Sequence, residues 1–394
     1  MSTLTILEAL IAQPTIAGAS NEVLITALAE RLSGLGAQVQ VLPSVREDAR
    51  NLHAVLGPAD AEGGILFAAH SDVVDVEGQP WTRDPFALGV EGGRAYGRGS
   101  ADMKGFIAAL LAALESGGDR LATRLRRPVH LAISSDEELG CRGVGPLLDV
   151  LAELPVRPAW ALVGEPTELR IIDRHKGKAA ARVQLRGLAA HSSVPADGVN
   201  AVAHAGVLIT RLLVLASALR AGPLDRSFRA PWSTVGIGPV HGGVAVNIVP
   251  DHCRLDLELR TVPAVDPEEL MGRVRALAEE VEREMRTEHE GCVVRLEALS
   301  SYPGLAARDS APAREAGAML ARALAGLGGG GELGAADFGT EGGLYAQALG
   351  VPVLVCGPGS MRDAHRADES VDVAQLQAAE AMIARLCEQL TDRA

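Results

Sequence analysis

Short, nearly continuous apolar runs recur in the first half of the chain and near its end. They lie at residues 64–75, 128–134, 160–163 and 351–356. Runs of four to eight apolar residues without alternation are typical of strands that are buried on both faces of a parallel sheet. The apolar positions at 103–114 instead follow the helical period, which predicts a helix that packs on this sheet.

The middle of the chain has a different pattern, with alternating apolar and polar positions. It predicts strands at 178–188, 232–240, 253–261 and 293–299, and helices at 200–219 and 266–289. The order β-α-β-β-α-β describes two helices on a four-stranded antiparallel sheet. The first pattern then resumes with a helix at 310–324. We therefore predict an α/β fold with a mostly parallel sheet in a domain formed by residues 1–177 and 300–394, and an α+β domain inserted at 178–299.

Size and charge exclude some classes of partner. The chain has 394 residues, of which 47% are hydrophobic. This is enough for two or three domains with a sizeable core. The formal net charge of −13 disfavours non-specific binding to nucleic acid or to an anionic membrane surface. We expect neither as a partner.

The cysteines and the N-terminus bear on the compartment. The five cysteines are scattered, and none forms a Cys-x-x-Cys pair. This pattern predicts buried free thiols in a reducing compartment, and neither a disulfide framework nor a thiolate zinc site. The first ten residues lack a basic segment and a cleavage signal. The longest apolar stretch, at 106–114, is too short to span a bilayer. We predict a soluble cytoplasmic protein.

Histidines and carboxylates follow the predicted buried strands or begin the predicted helix. The candidate ligands are His70, Asp102, Glu138, Glu165 and His365. In open α/β sheets the ligand site lies at the carboxyl ends of the strands. Imidazole and carboxylate groups suit zinc and related divalent ions. Two histidines and three carboxylates are too many for one catalytic zinc, and they suit a pair of ions.

Neighbouring acids have distinct predicted roles. Asp72 shares a face with His70 in an extended segment, so its carboxylate can hold the far imidazole nitrogen. Asp102, at a helix start, has two interpretations: a plain N-cap, or a bridging ligand that the flanking glycines let a metal approach. Of Glu137 and Glu138, one can bind metal while the other faces the substrate water as general base. A solvated acidic turn is the alternative for this pair.

These residues lie in segments that together resemble the di-zinc aminoacylase and carboxypeptidase family. The matching segments occur in family order at 69–74, 81–86, 97–105, 136–138, 164–167, 175–177, 190–201, 241–247, 339–341 and 357–369. Three of them, at 175–177, 191–201 and 357–365, favour the acetylornithine deacetylase branch of the family.

The resemblance implies a centre with two zinc or cobalt ions. The implied ligands are Asp102 as the bridge, His70 and Glu165 at one ion, and Glu138 and His365 at the other. Glu137 is then the general base, and Asp72 is the partner of His70. The resemblance also implies a non-proline cis peptide bond between Asp102 and Met103.

Four further residues match the substrate contacts of this family: His191, Asn247, Arg260 and Thr340. Arg260 suits bidentate capture of a carboxylate, and His191 and Thr340 suit stabilisation of an oxyanion. The resemblance implies a homodimer in which the inserted domain serves for dimerisation and as a lid. His191 would then reach the active site of the partner subunit.

The implied activity is hydrolysis of the amide of N-α-acetyl-L-ornithine to acetate and L-ornithine, a step of arginine biosynthesis. Succinyl-diaminopimelate desuccinylase is similar at all the metal residues, and this chain departs from the family pattern at Val244, Val246 and 342–343. A peptidase or another aminoacylase that acts on an N-acyl amino acid is therefore an alternative. A catalytically silent binding protein is a further one, although no expected ligand or base is missing.

Overall fold

A computed structural model describes residues 1–118 and 121–391, which form two compact units. The first unit comprises Met1–Arg174, Ala307–Ala335 and the chain from Thr340 onward. The second unit comprises His175–Ala306 and Ala336–Gly339. The inserted segment predicted at 178–299 falls within the second unit.

The strands and helices of the described residues are numbered in chain order. The strands are β1 (Gln38–Pro43), β2 (Arg50–Leu56), β3 (Ile65–His70), β4 (Gly89–Glu91), β5 (Arg94–Tyr96), β6 (Val129–Ser134), β7 (Trp160–Pro166), β8 (Ile171–His175), β9 (Gly177–Arg186), β10 (Thr234–Gly242), β11 (His252–Thr261), β12 (Val293–Tyr302), β13 (Leu333–Ala336), β14 (Val353–Gly357) and β15 (Ser370–Asp372). The helices are α1 (Thr3–Ile11), α2 (Glu22–Gly34), α3 (Lys104–Ser116), α4 (Leu121–Arg124), α5 (Gly145–Ala152), α6 (Ala201–Leu219), α7 (Pro267–Glu288), α8 (Ala311–Leu324), α9 (Gly342–Leu349) and α10 (Val373–Glu388).

The large sheet has the strand order β1-β2-β6-β3-β7-β14-β8-β13 among the described residues. Its central pairs, β6 with β3, β3 with β7 and β7 with β14, are parallel. The pairs β1–β2, β2–β6 and β14–β8 are antiparallel. The predicted fold class is confirmed, and the antiparallel strands flank a parallel centre.

The parallel centre is buried on both faces, as its unbroken apolar sequence predicts. Every residue of β3, β6 and β7 is buried. Helix α3 is buried from Lys104 to Leu114 and contacts α1, α10, β3 and β7. Because neighbouring parallel strands end at the same edge, the residues that follow β6, β3, β7 and β14 are brought together there.

The second unit has the predicted β-α-β-β-α-β order, with a sheet of order β10-β11-β9-β12. All its described pairs are antiparallel. In β9 alternate residues such as Ala181 and Val183 are fully buried, which is the period expected of a sheet covered on one face. Helices α6 and α7 contact each other and this sheet.

Helix α6 overturns the expectation that the longest apolar stretch lies at 106–114. Its 19 residues have a mean hydropathy of 1.9, so that its length and composition alone would let it cross a membrane. In the second unit it contacts α7, β10 and β11, and Leu208 and Leu212 are fully buried. A core helix of a folded domain meets the same criterion, so α6 is weak support for a membrane span.

Two histidines lie inside the large sheet. His53 on β2 and His130 on β6 are 4% and 1% exposed. Their rings stack with centroids 5.5 Å apart, and Nε2 of His53 is 3.3 Å from Nδ1 of His130. Burial lowers the pKa of each to about 4, and the charge of His53 contributes to lowering that of His130.

This histidine pair is expected to make the fold sensitive to acid. An unfolded imidazole has a pKa of about 6.5, so between about pH 4 and pH 6.5 the unfolded chain binds more protons than the folded one. The free energy of unfolding therefore falls as the pH is lowered through this window, by on the order of 3 kcal/mol for each histidine. Urea unfolding at pH 7, 6, 5 and 4 measures this loss.

The double variant His53→Gln/His130→Gln tests the role of the buried pair, and His241→Gln, a substitution of an exposed histidine, is the control. The double variant is expected to lose stability less steeply between pH 6.5 and pH 4 than the wild type, and His241→Gln is expected to follow the wild type. If the free energy of unfolding fell equally steeply with decreasing pH in the wild type and the double variant, the prediction would be contradicted.

Candidate metal centre

Asp102 lies between two histidines. Its Oδ1 is 3.0 Å from Nε2 of His70, and its Oδ2 is 3.0 Å from Nε2 of His365. The carboxylate is only 4% exposed. Each of its oxygens therefore faces a different imidazole, as expected for a carboxylate shared by two ions.

Two groups of potential ligands share Asp102. The first is His70, Asp102 and Glu165, and the second is Asp102, Glu138 and His365; within each group the ligand atoms all lie within 4.8 Å of one another. These five residues are called the ligand cluster below. The sequence prediction named the same five and divided them in the same way.

Local structure explains why these side chains converge. His70 is the last residue of β3, and Glu165 lies near the end of β7. Glu138 follows β6, and His365 lies in the loop after β14, where its positive φ of 60° turns the chain sharply. Asp102 precedes α3 in a loop with glycines at positive φ, and the Asp102–Met103 peptide bond is cis, as predicted.

The N-cap interpretation of Asp102 does not hold. Met103 is the residue at the N-cap position of α3, and the side chain there makes no capping hydrogen bond. Both oxygens of the Asp102 carboxylate instead face imidazole nitrogens. The bridging geometry is therefore the one that the structure contains.

Asp72 partners His70 differently from the prediction. Nδ1 of His70 is 3.0 Å from the main-chain oxygen of Asp72 and 3.6 Å from its carboxylate. The carboxylate instead accepts hydrogen bonds from the backbone N–H groups of Glu137 and Glu138, each at 3.1 Å. Because two amides already hold it, the carboxylate ties the end of β3 to the acidic turn after β6.

The three consecutive acids of this turn point to different partners. Asp136, with a positive φ of 52°, turns toward Arg46, whose Nε is 2.9 Å from its Oδ2. An oxygen of Glu138 lies 3.1 Å from Nε2 of His365. Glu137 is half-buried, and its Oε1 accepts a hydrogen bond from the Cys141 thiol at 3.3 Å. The turn is therefore not a solvated acidic segment, and Glu137 is left outside the ligand cluster.

Crowding of carboxylates changes the acidity of the cluster. Burial, together with the negative charge of Asp102, raises the pKa of Glu138 to about 8 and raises that of Glu165 well above its usual value. Burial also raises the pKa of Glu137, and the charges of Asp102 and Asp72 act in the same direction.

The pKa values of the two histidines in the cluster are also raised, because the carboxylates around them favour the protonated imidazole. Hydrogen bonds to Asp102 and Glu138 raise the pKa of His365 to about 11. Burial alone would lower the pKa of His70, but its hydrogen bond to Asp102 and the charge of Asp72 raise it well above the usual value. The cluster thus favours positive charge.

The donor set fits a pair of divalent cations. It offers two imidazole nitrogens and three carboxylates; His70, Asp102 and Glu165 are buried, Glu138 is half-buried, and His365 is exposed. Divalent ions would supply the compensating charge, and zinc accepts both ligand types. The shared carboxylate allows two ions to sit side by side.

Of the predicted substrate contacts, three lie in the second unit. His191 and Asn247 are exposed, and Nδ1 of His191 is 2.7 Å from Oγ of Ser193. Arg260 is bound by Glu258 through two hydrogen bonds, of 2.8 and 3.2 Å. Capture of a substrate carboxylate by Arg260 would have to share or displace Glu258, which the sequence did not suggest.

The fourth predicted substrate contact, Thr340, lies in the first unit and is fully buried. Its Oγ1 accepts a hydrogen bond from the backbone N–H of Gly342 at 2.9 Å. The next residue, Glu341, is also buried, and its Oε2 accepts a hydrogen bond from Ser134 at 2.9 Å.

Sequence reasoning missed residues that support the ligand cluster. Glu369 accepts hydrogen bonds from the amides of Ala101 and Asp102, and Arg98 forms an ion pair with it. Arg98 and Glu369 both lie in segments that match the family, but neither residue type indicates that the two side chains pair with each other. Arg98 could have indicated a supporting role in the sequence only if its carboxylate partner, Glu369, had been known.

A comparison with family models decides the family. The model described as peptidase family M20/M25/M40 matches residues 66–389, which is most of the chain and includes every member of the ligand cluster. The chain belongs to this family. As an M20/M25/M40 protein it is a hydrolase of a dinuclear metal-binding family, in agreement with the two ligand groups that share Asp102.

Solved structures of M20-type peptidases have the same fold. An M20 family metallo-carboxypeptidase from Sulfolobus solfataricus has a TM-score of 0.79 at 17% identity, with 99% of this chain and 99% of that chain covered. A tripeptidase from Staphylococcus aureus has a TM-score of 0.76 at 20% identity, with 98% and 97% covered. A dinuclear metal binding peptidase from Bacillus subtilis has a TM-score of 0.64 at 14% identity, with 99% and 97% covered.

Proposed function

We propose that the protein is an acetylornithine deacetylase, which hydrolyses N-α-acetyl-L-ornithine to acetate and L-ornithine in arginine biosynthesis. The observation that supports metal-dependent hydrolysis is the pair of ligand groups that meet at Asp102, with Glu137 outside both groups as a candidate base. The choice of substrate is supported by the sequence segments at 175–177, 191–201 and 357–365.

The residues of this centre account for the chemistry of amide hydrolysis. Two divalent ions held by the ligand cluster supply Lewis-acid polarisation of the acyl carbonyl and make water more acidic. Glu137 accepts a proton as water adds to the carbonyl carbon, and it returns that proton to the amine nitrogen as the C–N bond breaks.

We propose zinc as the metal, with cobalt as a substitute that the same ligands accept. Both ions bind imidazole and carboxylate, and the site contains no cysteine ligand among the described residues. Dialysis against each metal, followed by measurement of bound metal and of activity, tests this choice.

A substrate panel tests the proposed specificity. The purified, metal-loaded protein is assayed with acetylornithine, succinyl-diaminopimelate, acetylcitrulline, acetylmethionine and a dipeptide. The highest kcat/KM is expected with acetylornithine. Preference for succinyl-diaminopimelate, for another N-acyl amino acid or for the dipeptide would assign one of the alternative activities. Absence of hydrolysis in a protein that holds two ions would contradict the proposal as a whole.

We propose that His191, Asn247, Arg260 and Thr340 contact the substrate. Arg260 is suited to the α-carboxylate because a planar guanidinium can donate two parallel hydrogen bonds to a carboxylate, and the substrate would share or displace Glu258, which accepts such a pair in this structure. His191 has an exposed ring, which leaves its Nε2 accessible. Loss of affinity for acetylornithine in Arg260→Lys, seen as a raised KM, is the measurement that tests the carboxylate assignment.

We propose that the protein acts in the cytoplasm. All five cysteines are free and buried, which is the usual state of thiols in a reducing compartment. Fractionation of cells that express the protein, followed by detection with an antibody, tests this location.

We propose that the protein is a homodimer in which His191 completes the partner subunit's active site. Support comes from α6, where every exposed position carries an uncharged side chain, including Val207, Leu213 and Val214. Strand β10 is an edge of its sheet in the described chain. An uncharged helix face and an open strand edge suit an isologous contact with a second copy.

Placing a charge on this face is expected to separate the subunits. Val214→Glu would bury an unpaired carboxylate in the proposed interface, so the variant should sediment as a monomer at a concentration where the wild type is a dimer. Val23→Glu is a matched control, since Val23 is 69% exposed and Val214 is 66% exposed. A dimeric Val214→Glu variant would contradict this choice of interface.

A further inference from the structure

Glu369 binds the backbone of the loop that carries Asp102. Its Oε1 accepts hydrogen bonds from the N–H groups of Ala101 at 2.9 Å and of Asp102 at 3.0 Å. Its main-chain oxygen accepts another from the N–H of Gly97 at 2.9 Å. Glu369 is 1% exposed, so water does not compete for these bonds.

A buried arginine fixes Glu369 in turn. Nη1 of Arg98 is 2.7 Å from Oε2 of Glu369, and Nη2 of Arg98 is 2.6 Å from Oε1 of Gln79. The guanidinium also lies over the ring of Trp81, 5.0 Å from its centroid. Arg98 is fully buried, and a buried charge pair with this many hydrogen bonds holds one geometry.

The segment that contains Glu369 also contains the candidate ligand His365. Glu369 follows His365 by four residues, and between them Asp368 accepts hydrogen bonds from the N–H of Thr82 at 3.1 Å and from its hydroxyl at 2.8 Å. The chain from His365 to Glu369 is therefore anchored at both Thr82 and the Asp102 loop. A shift of Glu369 would move Asp102 and His365 together.

We propose that Glu369 is a positioning residue that fixes the Asp102 carboxylate before any ion binds, and so sets the affinity of both metal positions. Ligands that are held in place by surrounding hydrogen bonds lose less freedom when they bind a metal. This inference rests on the proposed two-metal function. It concerns affinity, and Glu369 itself contacts neither the metals nor the substrate in this scheme.

The variant Glu369→Gln tests the inference, because glutamine keeps the size of the side chain and places an amide where Arg98 requires a carboxylate. Competition with a zinc chelator of known affinity is expected to show zinc binding weakened by about 10- to 100-fold at both positions. At saturating zinc, KM for the substrate is expected to stay at the wild-type value.

Glu115→Gln is the matched control. It removes a carboxylate that pairs with Arg31 in the same unit and away from the ligand cluster, and it is expected to leave zinc affinity unchanged. If Glu369→Gln does not fold, Arg98→Lys takes its place under the same criterion. Equal zinc affinity in the wild type and the folded test variant would overturn the inference.

A measurement on the wild type alone gives a second test. Hydrogen exchange of the metal-free protein is expected to be slow in the peptide that contains Ala101 and Asp102, since Glu369 already holds their amides. Fast exchange that slows only after zinc is added would overturn the inference. A wild-type protein that binds fewer than two zinc ions would instead overturn the proposed function, so the two failures are distinguishable.

Discussion

Replacing Glu137 by glutamine is expected to lower kcat by about 10²- to 10⁴-fold, the usual contribution of a general acid–base group. Glutamine has nearly the same shape, but it cannot accept a proton from water or return one to the amine. Glu137 lies outside both ligand groups, so the variant should still bind two metal ions. Steady-state kinetics and metal analysis on the same preparation measure both quantities.

Glu115→Gln is again the control, since its carboxylate pairs with Arg31 and with the N-terminal amine. It is expected to keep wild-type kcat. A Glu137→Gln variant with two bound ions and undiminished kcat would remove Glu137 from the proposed mechanism. A variant that loses metal as well would show that Glu137 acts as a ligand.

Replacing Asp102 by asparagine is expected to abolish hydrolysis and to release metal from both positions. The amide nitrogen of asparagine does not coordinate zinc, so the two ligand groups can no longer share one side chain. Lewis-acid stabilisation of several kcal/mol is then lost, and kcat/KM is expected to fall by about 10³-fold or more. Zinc content per subunit and kcat/KM are the quantities to be measured.

Glu165→Gln and Glu138→Gln are the matched comparisons for Asp102→Asn, because each belongs to only one ligand group. Each is expected to weaken one metal position and to leave the other occupied. If Asp102→Asn still retained two ions as tightly as the wild type, Asp102 would not be the bridge.

The positions of the ligands along the chain were predictable. His70, Glu138 and Glu165 follow or end apolar runs, and such runs form buried parallel strands whose carboxyl ends meet at one edge. Hydrophobic periodicity is local in the sequence, so it gives strand and helix positions to within a few residues. The β-α-β-β-α-β order of the second unit was readable for the same reason.

The exact hydrogen-bond partners were not predictable from spacing. Asp72 was expected to hold His70 through its carboxylate, but the carboxylate accepts from the backbone amides of Glu137 and Glu138. The acidic turn lies 65 residues away from Asp72 along the chain. Only the parallel pairing of β3 with β6 brings it within reach.

The sequence by itself determined the two folding patterns and the five candidate ligands, and it named Glu137 as the candidate base. The tertiary structure alone decided that the two Asp102 oxygens face different histidines, that Asp102 is not the N-cap residue of α3, and that Glu369 and Arg98 support the Asp102 backbone. The physical reason is that hydrophobic periodicity is a property of residues close together in the sequence. The partner of a buried polar group instead depends on the chain topology: the Asp102 amide donates to Glu369, which is 267 residues away.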